Sequence, residues 1–406
     1  MFENILYQDV CKNLQNDIIS ESLPGSLLFV GQEFSGKLSC ALETARVVSC
    51  KENEKGLWQC TCDSCTFYKG LYNTNLLLAG FRDCIPEIKA SKQTFLSALK
   101  EDAPFLLSTR YLFLRSVRKL TIRFNPIAWQ NDDKLSKFAN LTSEIDELLE
   151  SLENVNENID FDKIEKTCDA LLENCTKLSS NFLYNTIPIQ HIRNIASWAH
   201  ITSPDGKKTV ILESADQMNE NARNALLKIL EEPPESTLFI LLAKERSAIM
   251  QTILSRVRTY SFRKRSLKEE KEVINRIFHN SLFNGFISDY MEQFLPVDIS
   301  TVKKEAANFF ADIAMGKIPN ISLIIKNCDS FSERSIFKIF LSSIVPKSLL
   351  KTSYGSIASS LSNKALQNAW DSVTIFNQSV QASLENLCKE LSLINKTNER
   401  VFGEAI

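Results

Sequence analysis

The sequence predicts an α/β fold, with a parallel five-stranded sheet covered by helices and an all-helical carboxyl-terminal part. Short apolar runs alternate with helical patterns as far as Phe262, which is typical of a parallel sheet with helices on both faces. Beyond Phe262 only helical patterns continue. The predicted strands are Ser26–Val30, Asn75–Ala79, Thr209–Glu213, Thr237–Ala243 and Val257–Phe262. The later helical patterns cover Ser266–Phe294, Thr301–Met315, Ser330–Ile344 and Ile357–Leu393.

A loop of the sequence GQEFSGK follows the first strand and opens a helix. It satisfies the GxxxxGK core of a phosphate-binding loop, in which backbone N–H groups and a lysine surround a phosphate. Gly31, Gly36 and Lys37 are therefore candidate nucleotide-binding residues. Leu38 stands where a Ser or Thr would hold magnesium, and Phe34 places a ring where the backbone must wrap closely. Both departures argue against productive binding of ATP and Mg²⁺.

Four of the eleven cysteines crowd together, at Cys50, Cys60, Cys62 and Cys65. In a long chain with irregular cysteine spacing we expect reduced thiols and no disulfide framework. Structural Zn²⁺ prefers four thiolates in a tetrahedron, and Cys62-x-x-Cys65 has the usual knuckle spacing. The cluster predicts one structural Zn²⁺. A closed site of this kind leaves no position for a substrate.

An insertion of about a hundred residues, about 86–186, separates the second strand from the rest of the strand series. It is basic from Arg110 to Arg123 and then becomes acidic, with two helical patterns joined by a mostly polar turn near 154–158. One interpretation is a solvated helical hairpin with charged outer faces. The other is a docking arm for a partner, and nothing in the sequence selects that partner.

The third strand carries the residues that an ATPase would use to hold its metal. Phosphoryl transfer needs a metal held by a carboxylate and a group that positions the attacking water. Glu213 and Ser214 stand where an Asp-Glu pair is expected, and a serine cannot act as a base. We therefore predict that the chain has no ATPase activity of its own.

Bulk properties exclude two further classes. A formal charge of −2 over 406 residues excludes a protein that binds nucleic acid through overall basicity. No apolar run approaches the length of a membrane span, and the first residues lack a leader pattern, so we expect a cytoplasmic protein without a membrane partner.

Three motifs carry a resemblance to a known family. The sequence NALLKILEEPP, at 224–234, closely resembles the NALLKxLEEPP signature of the bacterial clamp loaders. IPIQHIR, at 187–193, resembles their IPVDQIR segment, and Ser255-Arg256-Val257 resembles their SRC motif with valine in place of cysteine. The matching motifs run over 27–65 and 187–262, and they are most similar to the delta-prime family of clamp-loader subunits of DNA polymerase III, within the AAA+ class.

The resemblance implies three domains. Residues 1–262 would form the AAA+ α/β domain with a zinc module near 50–65, residues 263–296 a small helical lid, and residues 297–406 a helical collar that joins subunits. It also implies a fixed subunit of a five-part ring, with gamma or tau ATPase subunits and a delta subunit. Through that complex the chain would act on the sliding clamp and on primer-template DNA.

The resemblance also implies roles for two residues. Arg256 corresponds to an arginine that reaches the ATP of a neighbouring subunit, where it stabilises charge on the transferred phosphoryl group. Ala243 ends the fourth strand where relatives place a polar residue that senses the γ-phosphate. The chain would thus assist a neighbour's ATPase site.

Two alternatives remain open. One is the gamma or tau subunit, the ATPase of the same family, against which Leu38, Ser214 and Ala243 argue. The other is a stand-alone AAA+-like regulatory adaptor whose insertion recruits a partner.

Overall fold

The computed structural model describes residues 1–153, 160–201, 207–346, 349–350, 355–376 and 378–405. These residues form two compact units, Met1–Tyr290 and Met291–Ile406. The turn expected near 154–158 lies outside the described residues. Within those ranges, no helix is both long enough and apolar enough to cross a membrane.

Five parallel strands form one sheet in the order β2-β3-β4-β1-β5, which confirms the predicted parallel five-stranded sheet. The apolar runs form strands because both sheet faces are covered: every residue of β2, β3 and β4 is buried. The strands are β1 Ser26–Val30, β2 Leu76–Ala79, β3 Lys208–Leu212, β4 Thr237–Ala243 and β5 Arg258–Ser261.

Helices cover the two faces of the sheet in separate hydrophobic cores. Alternate strand residues point to opposite faces, so Phe29 packs with α1, α2 and α3, while its neighbour Leu28 packs with α8, α9 and the insertion. The helices are α1 Val10–Ile19, α2 Lys37–Val48, α3 Asp63–Gly70, α4 Ile85–Lys100, α5 Leu106–Thr121, α6 Leu135–Glu153, α7 Phe161–Phe182, α8 Ile189–His200, α9 Glu220–Glu231, α10 Gln251–Leu254, α11 Leu267–Phe278 and α12 Ile287–Glu292.

The insertion consists of α4 to α7 and a short 3-10 turn, Ile122–Phe124, that follows α5. Its helices share the hydrophobic core of one sheet face, because the apolar stripes of α6 and α7, with Ile145 and Leu171, point inward. Their outer faces carry exposed charged residues such as Glu147 and Glu165. The helical hairpin is therefore packed against the α/β domain over its apolar side.

The second unit contains five helices of its own within the described residues, packed around a separate hydrophobic core. The pattern predicted over Ile357–Leu393 forms two helices, because Ser379 starts a new one by accepting a hydrogen bond from the N–H of Ala382. The helices are α13 Ile299–Ala314, α14 Ile321–Asn327, α15 Arg334–Ile344, α16 Gly355–Thr374 and α17 Val380–Thr397.

Candidate nucleotide-binding and metal sites

The predicted phosphate loop lies between β1 and α2. Gly36 has a φ of 93° directly before α2, and a Cβ there would lie 3.0 Å from Nη2 of Arg265. Phe34 also takes a positive φ, 59°, in the region that favours glycine. The loop therefore wraps around the helix amino terminus despite the ring at Phe34.

Lys37, which would supply charge to a phosphate, is turned back onto its own loop. Its amine donates hydrogen bonds to the carbonyl oxygens of Gly31 and, at 2.9 Å, of Gln32. Burial lowers the pKa of Lys37 to about 8. The loop carbonyls thus accept from two of the three N–H donors of this ammonium group.

Two residues that no sequence motif indicates donate hydrogen bonds to backbone carbonyl groups of this loop. Nε2 of Gln8 donates to the carbonyl oxygen of Ser35 at 3.0 Å. The guanidinium of Arg265, which is buried, donates to the carbonyl oxygens of Phe34 at 2.8 Å and of Leu6 at 2.9 Å. Neither side chain belongs to a local motif, so only the fold brings them to the loop.

The end of β4 also contacts the phosphate loop. Ala243 has no polar group, but the next residue, Lys244, forms an ion pair with Glu33 of the loop at 2.6 Å. The N–H of Lys244 also donates to Asp216 at 3.4 Å. An ion pair therefore links the loop to the strand end where a polar sensor was expected.

The acid that follows β3 is engaged by two arginines. Glu213 is buried, and Arg123 donates to its Oε2. Nη1 of Arg82 lies 3.5 Å from its Oε1. Ser214, with a φ of 53°, donates to the carbonyl oxygen of Phe81 at 3.2 Å. The side chains in the metal-holding positions are thus committed to contacts within the chain.

Arg256, the predicted finger, lies between α10 and β5 at the surface. Its side chain is 31% exposed and forms an ion pair with Glu231 at 2.7 Å. It also donates to the carbonyl oxygen of Thr252 at 2.7 Å. Glu231 belongs to the NALLKILEEPP sequence at the end of α9, so the arginine is held beside that signature.

The four cysteines predicted to hold zinc are brought together. The Sγ atoms of Cys50, Cys60, Cys62 and Cys65 all lie within 4.8 Å of one another, and those of Cys50 and Cys60 are 3.8 Å apart. Zn–S bonds of about 2.3 Å in a tetrahedron place sulfur atoms about 3.8 Å apart. Number, chemistry and spacing of the donors therefore fit Zn²⁺, which would cross-link the loop after α2 to the start of α3.

The protonation of these thiols is uneven. Partial burial alone would raise the pKa of Cys62, but the backbone N–H groups of Lys51 and Cys65 outweigh it and lower that pKa to about 7. Burial raises the pKa of Cys65 well above that of a free thiol. A metal must displace the remaining protons, so its affinity falls as the pH falls.

A buried guanidinium supports the cysteine cluster. Arg46 donates to Sγ of Cys65 at 3.1 Å, and to the carbonyl oxygens of Leu57 and Gly56 at 3.1 and 2.9 Å. It is also paired twice with Glu43, at 2.7 and 3.0 Å. A positive donor beside a thiolate offsets part of the charge of a four-thiolate site. In the sequence, the role of Arg46 is indicated only by its spacing of three residues from Glu43 on α2.

A groove of about 490 Å³ lies between α8 and α9. Its polar wall includes Arg193, His200 and Lys228, all of which are exposed. No acidic side chain is among the ten described residues that line it. The groove is therefore a local basic surface on a chain whose net charge is close to zero.

The strand order, the phosphate loop between β1 and α2 and the acid after β3 together define the AAA+ class of nucleotide-binding folds. Residues 149–266 match the family model described as DNA polymerase III, delta subunit. This segment includes the acid strand, the NALLKILEEPP helix and Arg256.

Curated relatives match over short stretches. The delta-prime subunit of DNA polymerase III from Pseudomonas aeruginosa is 41% identical over 71 residues, which is 17% of this chain and 22% of the relative. That from Bacillus subtilis is 45% identical over 56 residues, 14% of this chain and 17% of the relative. The Bacillus subtilis tau subunit is 25% identical over 166 residues, 41% of this chain and 26% of the relative.

A gamma-subunit-related protein of DNA polymerase III from Thermotoga maritima is a structural match at 20% identity, with a TM-score of 0.23, and the match covers 53% of this chain and 80% of that protein. Among the curated relatives, the chain spans about a fifth of the length of the delta-prime subunits that it matches. The resemblance to clamp-loader subunits, and to the delta-prime family among them, is confirmed over these stretches.

Proposed function

We propose that this chain is a clamp-loader subunit that does not hydrolyse ATP and instead supplies Arg256 to the ATP site of a neighbouring subunit. The observation that carries the proposal is that the key side chains of the chain's own nucleotide-binding site already make contacts within the chain. Lys37 is bonded to loop carbonyls, and Glu213 is paired with Arg82 and Arg123. The lysine that would serve a phosphate and the acid that would serve a metal are thus already engaged in contacts within the chain.

The proposed partners follow from the relatives, which are themselves subunits of DNA polymerase III. We propose that the chain joins gamma or tau ATPase subunits and a delta subunit in a five-part ring that loads the sliding clamp on primer-template DNA in the cytoplasm. The AAA+ domain would be 1–262, the lid 263–296 and the collar 297–406. Exposed apolar side chains in the last region, among them Ile318, Phe376 and Leu393, suit contact with other subunits.

The decisive experiment is reconstitution. The purified chain, mixed with the gamma or tau and delta subunits of its own source, should elute with them in one complex that loads the clamp on primed DNA. A chain that forms no such complex, and that recovers no polymerase subunits from cells, would instead be a regulatory adaptor.

The isolated chain is expected to have no ATPase activity, because the ligands of metal and phosphate are engaged within the chain. Phosphate release from Mg·ATP should stay at background. The melting temperature should shift by less than about 1 °C at millimolar Mg·ATP, since a ligand stabilises only the state that it binds. The ATPase subunit of the same complex is the positive control. Turnover by the isolated chain would favour the gamma or tau alternative.

We further propose that the groove between α8 and α9 contacts the DNA backbone in the assembled complex. Replacing Lys228 or Arg193 by alanine should weaken binding of the complex to primer-template DNA equally for all sequences. Each lost phosphate contact should lower the salt slope of log K by about 0.9. Lys304→Ala, an exposed lysine on α13, is the matched control. An unchanged salt slope in the two groove variants would remove this contact.

A further inference from the structure

We propose that the insertion, together with Arg82 just before it, acts as a built-in substitute for a metal–nucleotide complex: it neutralises the strand acid Glu213 and ties it to helix α11, so that the first unit keeps one conformation. This inference rests on the proposed non-hydrolysing role and goes beyond it, because it assigns a task to the insertion. Three sets of contacts carry it.

The first set is a partly buried chain of alternating charges, in which only Arg123 and Glu213 are fully buried. Arg123 donates to Glu213, whose other oxygen lies 3.5 Å from Arg82. Arg82 in turn lies 3.4 Å from Glu87 of α4, which is also paired with Lys119 of α5. Although burial alone would raise it, Lys119 and Arg82 hold the pKa of Glu87 at about 2, so this carboxylate stays charged.

These five side chains comprise three cations and two carboxylates. A divalent metal at Glu213 would have to displace two guanidinium groups. It would also add charge to a cluster that is already positive in sum. The cations thus take the place of the metal, and Arg123, whose side chain is 1% exposed, contributes the most deeply buried of them.

The second set fixes the segment that carries Arg123. The indole N–H of Trp129 donates to the carbonyl oxygen of Arg123 at 2.7 Å. Asn194 of α8 donates to the carbonyl oxygens of Ala128 and Gln130, at 3.0 and 2.8 Å. Because α8 packs on the same sheet face, the guanidinium is held against Glu213 by the α/β domain itself.

The third set joins the insertion to α11, the first helix after the sheet. The ring of Phe105 stacks on His279, which directly follows α11, with centroids 3.8 Å apart and planes at 6°. The hydroxyl of Thr94 on α4 donates to the carbonyl oxygen of Phe278 at 3.4 Å. Helix α4 therefore contacts the end of α11 and also carries Glu87 of the charge network.

In nucleotide-driven proteins, contacts with the bound ligand hold mobile structural elements together, and these elements separate when the ligand leaves. In this chain the corresponding links are side chains of the same polypeptide. Side chains of this chain therefore connect the acid strand with α11, which suits a subunit that remains fixed while its neighbours move.

The test is amide hydrogen exchange on the full-length chain. In Arg123→Gln, amides of both β3 and α11 should exchange about tenfold faster or more, because removing one partner of a buried ion pair leaves the other charge poorly compensated. Arg246→Gln makes the same change at an exposed arginine on the turn after β4 and should leave both elements unchanged. Mg·ATP should not alter exchange of α11 in the unmodified chain.

A merely local role for Arg123 would speed exchange in β3 and leave α11 as it was, and that result would overturn the inference. If Arg123→Gln does not fold, Phe105→Ala decides in its place. It should speed exchange of both α11 and β3, and a change confined to α11 would again overturn the inference. Failure of the proposed function is a different observation, namely ATP turnover by the unmodified chain.

Discussion

Replacing Arg256 by alanine is expected to lower ATP hydrolysis at the adjacent subunit of the assembled clamp loader by about 10³ to 10⁵, the usual contribution of an arginine finger. The guanidinium lies at the surface, held by Glu231 and by the carbonyl oxygen of Thr252. An arginine side chain provides its positive charge in a planar fork, so only its position has to be supplied. Loss of the side chain removes that charge without disturbing a buried core.

The measurement should isolate one ATP site. Turnover is recorded on a reconstituted complex in which the other ATP sites have been inactivated, because a ring with several working sites would show a smaller drop. Arg258→Ala is the matched control, since Arg258 is a nearby surface arginine with a single carboxylate partner, Asp17, at 3.1 Å. Both variants should assemble normally. Equal turnover in the two would refute the finger.

Replacing Cys65 by serine is expected to release the metal and unfold the segment around it. Apparent binding free energies of structural Zn²⁺ are about 10–16 kcal/mol in isolated zinc-finger peptides at neutral pH, as large as the stability of a typical domain. Cys65 is buried, and it also accepts a hydrogen bond from Arg46. The substitution therefore removes one metal ligand and the sulfur that accepts one hydrogen bond from a buried guanidinium.

Zinc content and proteolysis report the two consequences. The unmodified chain should carry about one Zn²⁺, by the four-ligand argument, and the Cys65→Ser chain nearly none, with new cleavage between α2 and α3. A strong chelator should reproduce the cleavage in the unmodified chain. Cys388→Ser, a buried cysteine of α17 outside the cluster, should keep its zinc. A folded, protease-resistant chain free of metal would exclude a structural zinc.

Much of the fold could be predicted because its signals are local. Apolar runs such as Thr237–Ala243 become strands where predicted, since a strand buried on both faces has no polar alternation. The cysteine cluster could also be predicted, because the four cysteines lie close together in the sequence. The sequence predicts that a helix opens at the end of the loop, and α2 does begin at Lys37, but the bonds of Lys37 to loop carbonyls depend on backbone geometry that no spacing reveals.

The charge network could not be predicted. Arg123 and Glu213 are 90 positions apart, and a pair that forms only in the folded chain leaves no periodicity in the sequence. The basic stretch ending at Arg123 is visible in the sequence, but its partner is not. The contact of Arg265 with the phosphate loop could not be predicted either. Arg265 follows β5 and donates to the carbonyl oxygen of Phe34, 231 positions earlier in the sequence.

Strand β2 is the outermost strand on one side of the sheet. The 3-10 turn of the insertion lies beside it, and Nε of Arg123 donates to the carbonyl oxygen of Gly80 just beyond its end. A bare outer strand can pair with a strand of another molecule and start aggregation. The proposed clamp-loader subunit would be exposed to that risk until its complex is complete. By covering this strand, the insertion would keep the unassembled chain in solution.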